Sequence, residues 1–266
     1  MSAVLYLFLA HLGVGIAASL LLVAPAAGVK FFRFNAGLAA ILLLIALAFR
    51  PDMPAGTLSD GVGFAALAAA AGAVLLYWAT IGRALARLRP LLLWTTVAGG
   101  AVALAAQAVS WSAVEAGPPP WLTLASFLSS AALLGGSCTA MILGHWYLVL
   151  PSMDVALLQR VVKFHVGSAL ARIAVVGVVF AWALATWQAP SGAGFDRYVL
   201  SIEGVFLWQR VLFGLLGPVV LSYLTWETAK IRSTQSATGI LYVDFFTVIV
   251  GEVLAKYLLV SQRVPL

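Results

Sequence analysis

Val4-Leu5-Tyr6-Leu7-Phe8-Leu9-Ala10-His11-Leu12-Gly13-Val14-Gly15-Ile16-Ala17-Ala18-Ser19-Leu20-Leu21-Leu22-Val23-Ala24-Pro25 runs for 22 residues without a formally charged side chain. At about 1.5 Å per residue, a helix of this length crosses the roughly 30 Å hydrocarbon core of a bilayer. Seven further mostly apolar runs follow, the last three with a few charged residues: Phe34–Phe49, Val62–Ile81, Leu91–Val109, Trp121–Leu150, Val155–Trp187, Val205–Leu224 and Gly239–Val260. Backbone groups in hydrocarbon must be bonded within their own segment, so each run is read as a helix. Alternating apolar and polar residues are absent, which excludes a transmembrane barrel. The expected fold is all-α: a polytopic integral membrane protein with about eight transmembrane helices in an antiparallel bundle, one domain over 1–266.

Composition agrees. Of 266 residues, 63% are hydrophobic and 9% charged, with mean hydropathy +1.06; soluble domains carry about 25% charged residues. The net charge of +6 does not imply nucleic acid, because the cations sit in short loops between apolar runs. The single cysteine, Cys138, excludes an intrachain disulfide framework. It also excludes an iron–sulfur cluster held by this chain alone, since such clusters take about four cysteines. The start, Met1-Ser2-Ala3-Val4, has no basic residue. The first run is therefore read as a retained helix, although Ala24-Pro25-Ala26-Ala27 faintly resembles a cleavage site.

The breaks are turn chemistry: Arg50-Pro51-Asp52-Met53-Pro54, Pro118-Pro119-Pro120, Leu150-Pro151-Ser152 and Ala189-Pro190-Ser191-Gly192. Loops one, three, five and seven hold nine cations: Lys30, Arg33, Arg83, Arg87, Arg89, Arg160, Lys163, Lys230 and Arg232. The even loops hold Arg50 and Arg197, and the C-terminal tail adds Arg263. Positive charge marks the cytoplasmic side, so the odd loops face inward and both termini outward, across the inner (cytoplasmic) membrane. Trp111, Trp121, Trp187 and Trp208 then fall near the outer boundary, and Trp78, Trp94, Trp146 and Trp226 near the inner one.

Ionisable side chains inside a bilayer are costly and mark function by default. Here they are His11, His145, His165, Arg172, Arg210, Asp244 and Glu252. His145 and His165 flank the hairpin turn at Pro151–Asp154, about 9 Å and about 16 Å from it along their helices. Two facing imidazoles could hold a haem b iron, and Gly135, Gly136, Gly144 and Gly167 would allow a flat macrocycle close approach. Equally, each histidine could bond to a neighbouring helix, contact quinone or relay protons. Gly13 and Ala17 make a small-residue packing face beside His11. His11 therefore points into the bundle, where it could serve a quinone carbonyl or join two helices. Glu252 has Lys256 four residues on, sharing its helix face. That pair is either structural or the proton-exchanging part of a quinone site. Arg172, in mid-membrane, needs an acceptor, and Arg210 could neutralise Glu252 from a neighbouring helix. No Walker A loop, HExxH motif or pair of broken half-helices is present.

Four regions carry a family resemblance: Tyr6–Gly15; Leu134-Gly135-Gly136 leading into Gly144-His145-Trp146-Tyr147-Leu148; Trp208-Gln209-Arg210-Val211-Leu212; and Phe245–Tyr257 with Gly251-Glu252. Together they resemble the membrane-anchor subunit of dimethyl sulfoxide reductase, within the NrfD-like, polysulfide-reductase-type quinol-interacting proteins. The resemblance covers about half the chain. It implies a non-autonomous membrane subunit of a respiratory oxidoreductase complex that reacts with quinone or quinol. Electrons would pass to or from an iron–sulfur subunit attached to a catalytic subunit. Gly251, Glu252 and, loosely, Arg210 map onto the family pattern. The histidine after helix two and the acid near helix three, which serve quinol in the reductase branch, do not; Arg50-Pro51-Asp52 stands there instead. His11, Glu252 and Arg210 are thus the expected quinone and proton-exchange residues, with Arg172 and Lys256 as charge partners. A b-type cytochrome with His145 and His165 on haem is the second reading, and a small transporter or assembly factor the third.

Overall fold

The computed structural model describes residues 1–51, 58–83, 86–113, 117–150, 153–186, 194–202 and 204–266. The described residues are 86% helix and contain no strand. Ten α-helices follow one another among the described residues: α1 Ser2–Leu20, α2 Gly28–Ala48, α3 Leu58–Thr80, α4 Arg89–Ser112, α5 Pro120–Val149, α6 Val155–Thr186, α7 Phe195–Val199, α8 Val205–Val211, α9 Gly217–Lys230 and α10 Thr234–Gln262. Among the described residues, seven helical stretches are long and apolar enough to cross a membrane, with α8 to α9 counted as one. The chain is a polytopic helical membrane protein. The eighth expected span, α10, has the length, 29 residues, but carries Asp244, Glu252 and Lys256 and is not among the seven.

Proline and glycine punctuate the helices as their backbone chemistry requires. Pro90 and Pro120 sit in the first turns of α4 and α5, where no N–H is needed. Gly28 (φ 86°) turns the chain into α2, and Gly82 (φ 75°) follows α3; both angles favour a residue without Cβ. Charge does not stop a helix as the sequence reading assumed. α2 begins at Gly28 rather than Phe34, so Lys30 and Arg33 lie on it, with the Arg33 guanidinium 5.4 Å over the Trp78 ring. Long cationic stems run along apolar surface while their heads reach water. The expected turns at 52–54, 151–152 and 189–192, and Trp187, lie outside the described residues.

Two helices form the centre. Buried residues make up 78% and 83% of the apolar windows of α1 and α5, against 28–44% in the other spans. α1 packs on α2, α4, α5 and α10; α5 packs on α1, α4, α6 and α10. The contact is backbone to backbone. A Cβ on Gly15 would collide with the carbonyl of Ala131, and one on Gly135 with Gly15 itself. The close face of α1 toward α5 is therefore Gly15, not the Gly13/Ala17 face, and Gly13 instead takes the Leu43 side chain of α2. Gly144 faces Thr238 and Leu241 of α10, while no heavy atom stands within 4 Å of a Cβ at Gly167.

The expected single helix Val205–Leu224 is interrupted. Between α8 and α9, Leu212–Leu216 form a π-helical turn in which the Gly217 N–H donates to the Leu212 carbonyl. The cause is local: Pro218 has no N–H, and its ring crowds the carbonyl four residues back, at Gly214. The widened turn brings Gly214 against Gly251 of α10, where a Cβ on either residue would meet the other's backbone. Such turns recur at functional sites, and this one lies one turn beyond Arg210.

Candidate functional site

Five helices converge on one carboxylate. Glu252 of α10 is fully buried, as are Arg172 of α6, Arg210 of α8 and His11 of α1. Its Oε1 accepts from Arg172 Nε at 3.0 Å and Arg210 Nη2 at 2.9 Å. Its Oε2 accepts from Arg172 Nη2 at 3.1 Å, Lys256 Nζ at 3.4 Å and Ser130 Oγ of α5 at 2.5 Å. Arg172 is satisfied on all sides: it also donates to the Ser126 carbonyl and hydroxyl, the Ser129 hydroxyl and the Leu266 main-chain oxygen. Arg210 is not, because its Nε and Nη1 have no hydrogen-bond partner. Its guanidinium instead packs over Gly214 and Gly251, and a side chain at either glycine would displace it. Three cations thus surround one anion in a dry interior. Buried charges of this kind require close pairing, because desolvation is expensive.

Counting protons at Ser130 assigns the tautomer of His11. The Ser130 hydroxyl has one proton, directed to Glu252, and Lys256 Nζ donates to its oxygen at 2.7 Å. His11 Nδ1 lies 3.1 Å from the same oxygen and must therefore be the donor. In the neutral imidazole this leaves Nε2 without a proton; Nε2 is buried and without a partner. The imidazole is held edge-on to Phe127, ring centroids 4.7 Å apart. The result is a hydrogen-bonded chain, His11 to Ser130 to Glu252, with Lys256 on the same hydroxyl and an unused acceptor at its far end. Unpaired buried acceptors cost free energy that a hydroxyl or water would recover.

The other two histidines have separate partners. His165 Nε2 of α6 lies 2.7 Å from Asp244 Oδ2 of α10, both fully buried. The approach lacks hydrogen-bond alignment, and all four polar atoms of the pair have no other bond. His145 is exposed on α5, its Nδ1 3.1 Å from the Tyr242 hydroxyl. No contact described in the structure joins His145 to His165. Four glycines were expected to admit a macrocycle there. Of these, Gly135 and Gly144 receive α1 and α10, Gly136 receives Phe164, and Gly167 is open.

A second polar group lies near the expected outer boundary. Gln107 donates to the Tyr6 hydroxyl at 3.0 Å, and Arg50 pairs with Asp60. With Trp111 they line a cavity of about 10 Å³, room for about one water. The Gln107 carbonyl oxygen and the Trp111 indole N–H are buried there without partners. Asp52 of the expected Arg50-Pro51-Asp52 group lies outside the described residues.

Of the expected residues, the structure brings together His11, Arg172, Arg210, Glu252 and Lys256, and gives His145 and His165 places of their own. Ser126, Ser129 and Ser130 escaped the sequence reading. Their spacing, with Ser129 and Ser130 three and four residues after Ser126 on one helix face, was the available signal. Comparison with protein-family models and with curated proteins gives no match.

Proposed function

We propose that this chain is a quinone- or quinol-reactive membrane subunit of a respiratory oxidoreductase complex. It sits in the cytoplasmic membrane with eight spans and both termini outside. Electrons pass to or from an iron–sulfur subunit joined to a catalytic subunit. That partner supplies the clusters for which one cysteine is insufficient. The observation that carries the reading is the proton-free, unpartnered Nε2 of His11 at the end of the chain through Ser130 to Glu252. Quinol oxidation releases two electrons and two protons inside an apolar environment. One of the two protons takes this route: a quinol hydroxyl passes it to His11 Nε2, the proton on Nδ1 passes to Ser130, and the proton of Ser130 moves to Glu252. The two arginines hold the carboxylate in place, and Lys256 shares the same hydroxyl.

His11→Phe tests this. Phenylalanine keeps an aromatic ring beside Phe127 but removes both nitrogens. The variant is expected to insert and assemble, with quinol turnover per assembled complex reduced by roughly 10²–10⁴-fold, the usual range for a lost acid–base step. Wild-type turnover in well-assembled His11→Phe would falsify the assignment.

A further inference from the structure

At the end of the bundle opposite the Glu252 cluster, α1, α2, α3 and α4 do not close on one another. A cleft of about 440 Å³, open on one side, remains between them. That volume lies in the range of small-molecule sites. Its walls are apolar, among them Leu20, Val23, Phe32, Ile81 and Leu93, and Arg89 is in its lining with Tyr77. The Arg89 guanidinium is steadied by a hydrogen bond to the Thr80 carbonyl at 3.2 Å. Around this end stand Lys30, Arg83 and Arg87, all exposed. Residues 1–51 and 61–114 contain no Asp or Glu. The charge here is thus of one sign, beside an apolar cavity, where α1 and α3 end and α2 and α4 begin. Basic pockets between spanning helices suit lipid phosphates.

We propose that this cleft is a binding site for an anionic phospholipid, with an acyl chain along the apolar wall and the phosphate on Arg89. A zwitterionic lipid would fit the wall equally well but would gain less from the surrounding cations. A neutral quinone would gain nothing from Arg89 beyond one hydrogen bond. The site does not depend on the quinol reading.

The test is retention of lipid by the purified protein in detergent, offered phosphatidylglycerol or phosphatidylcholine with identical acyl chains and weighed by native mass spectrometry. Phosphatidylglycerol is expected to be held preferentially. Arg89→Gln should weaken it about fivefold, the effect of one cation at a membrane surface, while leaving phosphatidylcholine unchanged. Ala86→Trp, at an exposed residue in the lining, should block both lipids. Unfolding midpoints of both variants in phosphatidylcholine should match wild type, which shows that the fold survives. Equal retention of the two lipids overturns the proposal. So does phosphatidylglycerol retention unaffected by either variant, or displacement of phosphatidylglycerol by a quinone at equal concentration.

Discussion

Glu252 is both the anion that three buried cations share and the far end of the His11 chain, and two substitutions separate these roles. Glu252→Gln keeps the shape but leaves Arg172, Arg210 and Lys256 without a counter-charge. Breaking a buried pair in this way typically costs about 3–5 kcal/mol. The variant should show a lowered unfolding midpoint in detergent and poor assembly. Ser130→Ala leaves every charge in place and removes only the hydroxyl between His11 and Glu252. It should lower turnover in assembled complex while costing much less stability, about 1–3 kcal/mol. Should Ser130→Ala turn over normally, protons do not use this route. The sequence made part of the cluster legible. Lys256 is one turn from Glu252, and an arginine at mid-membrane demands an acceptor. Ser130 was not legible, because a serine in an apolar helix usually bonds to its own backbone, as Ser19, Ser137 and Ser168 do here. Nor could spacing tell that His165 would meet Asp244 while His145 stayed outside, since that depends on helix rotation.

Among the elements, run length and proline position located seven apolar spans; α2 begins earlier than its apolar run, α10 is not among the seven, and the other departures lie where backbone meets backbone. The π turn follows from Pro218, but its consequence, the Gly214–Gly251 crossing, needs both helices in place. Gly251→Ala should force α8 and α10 apart and push Arg210 from Glu252. Overpacking of this kind costs about 1–3 kcal/mol. Gly239→Ala, on the same helix with nothing within 4 Å of the added Cβ, is the control and should leave the unfolding midpoint unchanged or raised. Equal midpoints for the two variants would show that the crossing is looser than described. The packing face of α1 teaches the same lesson: Gly13 and Gly15 look alike in sequence, yet one receives a side chain and the other a backbone.

For the whole molecule, topology and cofactor content are measurable together. Nine cations in the odd loops and the helix ends beside them predict that a reporter fused after Leu266 is active outside the cytoplasm and silent within it. Activity only in the cytoplasm inverts the topology. A reduced-minus-oxidised spectrum of the purified protein, with its extractable quinone, should show bound quinone and no bis-imidazole haem band. A haem band abolished by His145→Ala or His165→Ala would instead favour the cytochrome reading. All-helical membrane architecture was legible from hydropathy because bilayer thickness dictates segment length. The angular arrangement of helices, which assembles residues from five of them around Glu252, is encoded in packing and cannot be read from runs alone.

The cluster also orders events during synthesis. Arg172 and Arg210 are made before Glu252, so for the time it takes to translate the intervening chain they have no carboxylate partner in their own protein. A nascent chain in that state holds two guanidinium groups that lipid does not readily accept. Each of these arginines costs about 2.5–3.5 kcal/mol in hydrocarbon until α10 brings the carboxylate. A chain truncated before α10 keeps both guanidinium groups without this carboxylate, and pulse-chase comparison with the full chain is expected to show faster turnover of the truncated one.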